Sequence, residues 1–292
     1  MKIRSLEGIG YDVILKAFNH SFSDYFIPVK VTQSQFTTKL KTHNIDLSIS
    51  VGAFDGDELV GFILHGKVPY SDRYVAYNLG TGVTPEARGQ NLTARMYEYI
   101  IPHIKGCQSV HLEVITQNTP AINSYKKSGF AIKRDLLCFR GVPPIKITNS
   151  NCTFEKLKNF DWQLLQSFRT SIPTIQNSPA IVQNRLNELT SFGAYLENKL
   201  VGFIIFNSKE KSILQLAVKP DYRRMDIGRS LLAKTSHLNE ITILNIDKED
   251  ANTIRFLMNL GLNVYVEQYE MELGLERANM SQQFLPSLNS PE

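Results

Sequence analysis

The stretch VTPEARGQNLTARMYEYI, residues Val83 to Ile100, reads as the end of a strand passing through a basic turn into a helix. The first turn of a helix has N–H groups without partners and a partial positive charge, so a turn opening onto one suits an anion such as a pyrophosphate. Backbone approaches such a ligand closely only where side chains are small or accept a left-handed conformation. Gly89, Asn91 and Thr93 meet that need, and Arg88 adds charge and hydrogen-bond donors. An Arg-Gly turn before a helix is also an ordinary connection, so the surroundings decide its meaning.

Those surroundings occur twice. SISVGAFDGDELVGFILHGKV reads as a hairpin around Asp55-Gly56-Asp57, and FGAYLENKLVGFIIFNS as another around Glu197-Asn198-Lys199; both carry Val-Gly-Phe, at Val60-Gly61-Phe62 and Val201-Gly202-Phe203. An apolar strand follows each, then Val83-Thr84-Pro85-Glu86-Ala87-Arg88 or Val218-Lys219-Pro220-Asp221-Tyr222-Arg223, an offset of 218 − 83 = 135 residues. Each turn leads into a helix, a further strand (VHLEVIT or EITILNI) and a helix ending in Gly129-Phe130 or Gly261-Leu262. Two copies of one α/β fold are implied. Pro143-Pro144 marks the seam, which predicts a domain over 1–141, a linker over 142–150, a second domain over 151–275 and a loose tail over 276–292.

Composition agrees with two ordinary domains. The chain has 292 residues, 42% hydrophobic and 21% charged, above the usual size of one domain. A net charge of +4 without a basic, aromatic-interleaved run argues against nucleic acid. Cys107, Cys138 and Cys152 lack CxxC spacing, so neither a disulfide framework nor a metal site is expected. The N-terminus has no signal-peptide core and no run is long enough to span a membrane, so a soluble, cytoplasmic protein is expected.

With these motifs in place the chain resembles the GCN5-related N-acetyltransferase family in both halves. The family's CoA motif, Arg or Gln, two variable residues, Gly, one variable residue, then Gly or Ala, aligns with Arg88-Gly89-Gln90-Asn91-Leu92-Thr93, which departs from it at Asn91 and Thr93. In Arg223-Arg224-Met225-Asp226-Ile227-Gly228 the central glycine is Asp226. The second family motif is met by Asn118, Ala121, Tyr125, Gly129 and Phe130, against Asp250, Thr253, Leu257, Gly261 and Leu262 in the second half. The resemblance implies two tandem acyl-CoA N-acyltransferase domains, each a mixed, mostly antiparallel sheet with splayed central parallel strands flanked by helices. It makes the first domain the working one and the second degenerate, a buttress, part of the acceptor cleft or a dimerisation surface.

It further implies acetyl-CoA as co-substrate, no metal, and a primary amine acceptor, either a small molecule or a peptide N-terminus. CoA would lie against Gly82, Val83, the turn Arg88 to Thr93 and Asn118, with Leu79 to Val83 as the open edge. Tyr125 matches the family's proton donor to the CoA sulfur; an aromatic on a core-facing helix side is the alternative. Glu113, twelve residues before Tyr125, resembles the strand glutamate that takes the amine proton through water in ribosomal-protein and N-terminal acetylases; an exposed sheet-face glutamate is the alternative. Asn78 stands near the family's usual acid and cannot act as a base. Phe22, Tyr25 and Phe26 would cover the acceptor site or pack the core, and Asp24 would meet an ammonium or cap a helix. His65 borders the cleft, Lys126-Lys127 form a solvated face, and the aromatics of ARMYEYI are core. The rival reading is a non-catalytic acetyl-CoA sensor or scaffold.

Overall fold

The structure, a computed structural model, describes residues 1–24, 30–70, 72–144, 148 and 151–275. The Tyr25-Phe26 pair, most of the expected linker and the tail 276–292 lie outside the described residues. The chain forms two compact units, one of Met1–Lys133 with Met271–Glu292, the other of Arg134–Glu270.

The first unit runs β1 (Lys2–Ser5), α1 (Tyr11–Ser21), α2 (Gln33–Thr42), β2 (Val51–Asp55), β3 (Glu58–Tyr70), β4 (Arg73–Val83), α3 (Leu92–Ile100), β5 (Ser109–Ile115) and α4 (Thr119–Lys127). The strands pair in the order β1-β2-β3-β4-β5, antiparallel except for β4 and β5. Local chemistry sets the boundaries. Thr32 and Gln35 form a reciprocal capping box at the start of α2, and Gly56 at φ 57° turns the β2-β3 hairpin. Alternation along β3 then gives the sheet two apolar faces. Phe62 and Leu64 join Leu6, Ile14, Phe36 and Leu40 in a core under α1 and α2. Gly61, on the other side of β3, faces Ala53 and Met96 of α3. Truncating Phe62, wholly buried, to Ala would cost about 3–5 kcal/mol.

The second unit repeats the plan with β6 (Ala131–Gly141, from Arg134 onward), β7 (Thr153–Lys156), α5 (Trp162–Ser167), α6 (Pro179–Asn184), β8 (Thr190–Leu196), β9 (Lys199–Asn207), β10 (Ser212–Val218), α7 (Ile227–Leu232), β11 (Ile241–Asp247), α8 (Ala251–Asn259) and β12 (Asn263–Gly274). Glu197 and Asn198, at φ 49° and 64°, make its hairpin turn. The order is β7-β8-β9-β10-β11-β6, with β10 and β11 parallel. Compactness thus divides the chain at Lys133 and Glu270, away from the Pro143-Pro144 seam. Pairing explains it: Leu136 to Gly141 form an antiparallel ladder with β11, whereas residues 271–274 of β12 lie beside β5 in the first unit. Leu275 N–H donates to the Gln108 carbonyl there at 2.9 Å. Among the described residues no helix is long and apolar enough to cross a membrane, and no group of three His, Cys, Asp or Glu side chains is placed to hold a metal.

Candidate functional site

In the first unit, β4 and β5 pair only at Ala76 with Val110 and Tyr77 with His111. The ladder between β3 and β4 slips between Leu64 and His65, leaving Leu79 as a bulge. A bulge bends its strand and re-aims the residues beyond it, so β4 leaves β5 at Asn78 and runs to Val83 without a β5 partner. Gly82 lies on this free stretch. A Cβ there would come within 2.6 Å of the Phe62 ring and 2.8 Å of Ser21, so its lack of a side chain serves the packing of α1.

Beyond Val83 the turn has Gly89 at φ 79° and Asn91 at φ 56°. Asn91 is the N-cap of α3, and its side chain makes no capping bond, so the first-turn amides keep their donors. Leu92 is buried and anchors the helix, Thr93 is half-buried, and Gly89 and Gln90 are exposed. The Arg88 guanidinium turns back toward the protein: Nε donates to the Val83 carbonyl at 3.2 Å and Nη2 to the Ser21 carbonyl at 3.1 Å, while Asp24 takes both terminal nitrogens at 2.6 and 2.8 Å. The hydrogen bond from Arg88 is the main influence holding the Asp24 carboxyl below its ordinary range. Arg223 repeats the clamp on Val218 and Phe168 carbonyls at 3.0 and 2.8 Å. The motif's arginine therefore ties the end of a helix to the turn in both units.

On the α3 face of the split lies a buried polar group. The Asn78 amide donates to the Tyr97 hydroxyl at 2.7 Å and to Thr81 Oγ1 at 2.8 Å, and Asn78 Oδ1, buried, finds no partner among the described residues. His65 pairs with Asn78 across the ladder; its Nδ1 meets the Ile49 carbonyl at 2.9 Å and burial lowers its pKa to about 4. Tyr97 is wholly buried, and burial first, then nearby Tyr125, raises its pKa well above the ordinary phenol value. Tyr125 on α4 is 7% exposed and meets the Tyr97 ring edge-on at 6.2 Å and Phe130 at 5.7 Å. Asn118 is the N-cap of α4, its Oδ1 accepting from the Ala121 N–H at 3.2 Å. On the opposite face Glu113, half-buried, accepts from the Tyr77 hydroxyl at 2.8 Å.

The second unit has the same split and a different lining. β10 and β11 pair only at Ser212 with Thr242 and Ile213 with Ile243, and Leu214 is the bulge. Phe206 and Ile213 occupy the paired places of His65 and Asn78. Leu232, six residues past the α7 cap, stands for Tyr97, and Leu257, seven past the α8 cap, for Tyr125. The point of separation is filled by the unit's own chain. Gln215 Nε2 donates to the Asn177 carbonyl at 2.8 Å, and Asn177 Nδ2 donates to the Leu244 carbonyl at 3.3 Å. Asn245 Nδ2 holds Thr174 and Gln176 at 3.3 Å each, and Thr174 and Ile175 are each 1% exposed.

Sequence reasoning takes Tyr97 for plain core and does not single out Tyr77 or Asn177. Comparing the halves position by position finds Tyr97, where Leu232 is its counterpart. Asn177 carries no comparable signal, because its partners come from strands distant in sequence.

Among curated proteins none matches the chain. Among solved structures it is similar to a GCN5-related N-acetyltransferase from Sphaerobacter thermophilus (12% identity, TM-score 0.69, covering 94% of this chain and 95% of that one). It is also similar to a putative acetyltransferase from Pyrococcus horikoshii (12%, 0.67, 94% and 89%) and to a tandem GNAT protein from the clavulanic acid biosynthesis pathway (11%, 0.66, 94% and 98%). The model of the acetyltransferase (GNAT) family matches residues 14–130 and again 156–261, most of the chain, and the protein belongs to that family as a tandem member.

Proposed function

We propose that the first unit binds acetyl-CoA and transfers its acetyl group to a primary amine, of a small molecule or a peptide N-terminus, by direct attack. The observation that carries this reading is that Asn78, Tyr97 and Tyr125 line its strand split, whereas Ile213, Leu232 and Leu257 line the other. Burying polar groups costs stability unless they are used or paired, and the second unit builds the same fold with apolar side chains at these three places.

The residues present fit the co-substrate. The free β4 edge, an N-cap that leaves the α3 amides uncapped, and an orphaned buried acceptor on Asn78 all invite a polar ligand. Gly82, Val83 and the turn Arg88-Gly89-Gln90-Asn91-Leu92-Thr93 would hold acetyl-CoA, with Asn118 fixing the start of α4 and Arg88 bracing the turn. When bound, acetyl-CoA supplies an activated acyl group. Glu113 takes the proton of the ammonium through water, and the freed amine attacks the carbonyl. The Tyr125 hydroxyl gives its proton to the sulfur as it departs, and the phenolate is restored by the second proton that the nitrogen sheds as it becomes an amide. The second unit takes no part in the chemistry.

The test is release of free thiol from acetyl-CoA across a panel of amines. Amine-dependent release that falls on Tyr125→Phe supports transfer. Tight acetyl-CoA binding with no release on any amine turns the reading toward a sensor.

A further inference from the structure

Tyr77 forms, with His111, the last pair before β4 and β5 part, and Glu113 stands two residues farther on β5, on the face that Tyr77 reaches. The Tyr77 hydroxyl donates to Glu113 Oε2 at 2.8 Å. The phenol is itself held: Tyr77 is 4% exposed, and His43 at the end of α2 stacks on its ring, 6.1 Å between centroids at an interplanar angle of 23°. His43 is fixed in turn, its Nδ1 3.0 Å from the Lys39 carbonyl. Among the described residues the ionisable groups near this face include His111, bonded to Ser109, 3.9 Å from Glu272 and 6.0 Å from the Tyr70 ring, and Lys133, 3.5 Å from Glu272. The counterpart of Tyr77 in the second unit, 135 residues on, is Ser212, which lacks the reach of a phenol.

We propose that Tyr77 is a positioning residue for Glu113: it fixes the carboxylate through Oε2 and keeps it ionised at lower pH, ready to accept a proton from the incoming amine. This rests on the reading of Glu113 as the base. A donor to the charged form of a carboxyl favours that form, and a phenol locked by stacking delivers the bond with little further loss of freedom.

The experiment is the pH profile of kcat/KM for one amine, measured for the parent, Tyr77→Phe, Glu113→Gln and the double variant. The amine's own ionisation is common to all four, so differences between profiles report the protein. Tyr77→Phe keeps the ring against His43. Its acid limb should move to higher pH, with roughly tenfold lower rate on that limb, the scale of one hydrogen bond to a charged group, and convergence at high pH. KM for acetyl-CoA should not change, and the double variant should match Glu113→Gln. A Tyr77→Phe profile that overlays the parent, or falls by one factor at every pH, overturns the role of Tyr77 and leaves the base intact if Glu113→Gln is slow. Glu113→Gln at the parent rate overturns both.

Discussion

Asn91 and Asp226, each the residue before the helix that follows the basic turn, adopt the same left-handed backbone, at φ 56° and 55°. The conformation belongs to the turn and not to the side chain, since an amide and a carboxylate both take it. Asn91→Gly should therefore bind acetyl-CoA as well as the parent or slightly better. Asn91→Val should bind much worse, because a β-branched residue resists positive φ. Calorimetric titration decides; equal affinity for all three would mean that the turn does not meet the ligand.

One chain should bind one acetyl-CoA. Asp226 puts a carboxylate where a pyrophosphate would come near, which at about 4 Å costs roughly 1–4 kcal/mol depending on screening. Asn177, bonded to both strands, also occupies the point where β10 and β11 part. Asp226→Gly alone should leave the stoichiometry at one. A second site in the parent, or one gained by Asp226→Gly alone, would show that the Asn177 segment does not close the split.

Tyr125→Phe should lower kcat by roughly ten- to a thousand-fold, on the scale of a single general acid, with little change in acetyl-CoA affinity. Steady-state rates beside calorimetric affinity separate the two effects. A parent-like kcat leaves Tyr125 as packing against Tyr97 and Phe130.

His65 makes the fold sensitive to mild acid. Its pKa falls from 6.5 to about 4 on burial, so between those values the unfolded chain binds a proton that the folded chain refuses. Stability is then full above pH 6.5 and declines as pH drops toward 4, by about 3 kcal/mol in all. His65→Phe, which copies Phe206, should flatten urea midpoints over this window. A slope unchanged by the substitution would place the acid sensitivity elsewhere.

Much of this was legible in the sequence because it is local or repeated. The hairpin turns and the left-handed Asn91 depend on neighbours a few residues away, and the 135-residue offset exposed the duplication. What escaped depends on distant partners. Arg88 reads as a ligand donor, and its bonds to Asp24 and the Ser21 carbonyl, more than sixty residues earlier, have no local signal. Gly82 reads as room for a ligand, and that a Cβ there would also meet Phe62 and Ser21 depends on residues distant in sequence. The contact of Tyr77 with Glu113 needs the register of two parallel strands, which no local pattern encodes.

The placement of residues 271–275 beside β5 and Gln108 has a practical consequence for anyone handling the two halves apart. A gene cut at the proline seam would yield an N-terminal fragment whose β5 ends in open N–H and C=O groups, a template for wrong pairing between molecules. Such a fragment should aggregate or express poorly, and a synthetic peptide spanning 263–275 should restore its solubility. If the bare fragment instead stays monomeric and melts like the full chain, β5 needs no such cover. In the living cell the same arrangement makes the first unit wait on residues translated long after its own, so its folding completes only once the second unit has left the ribosome.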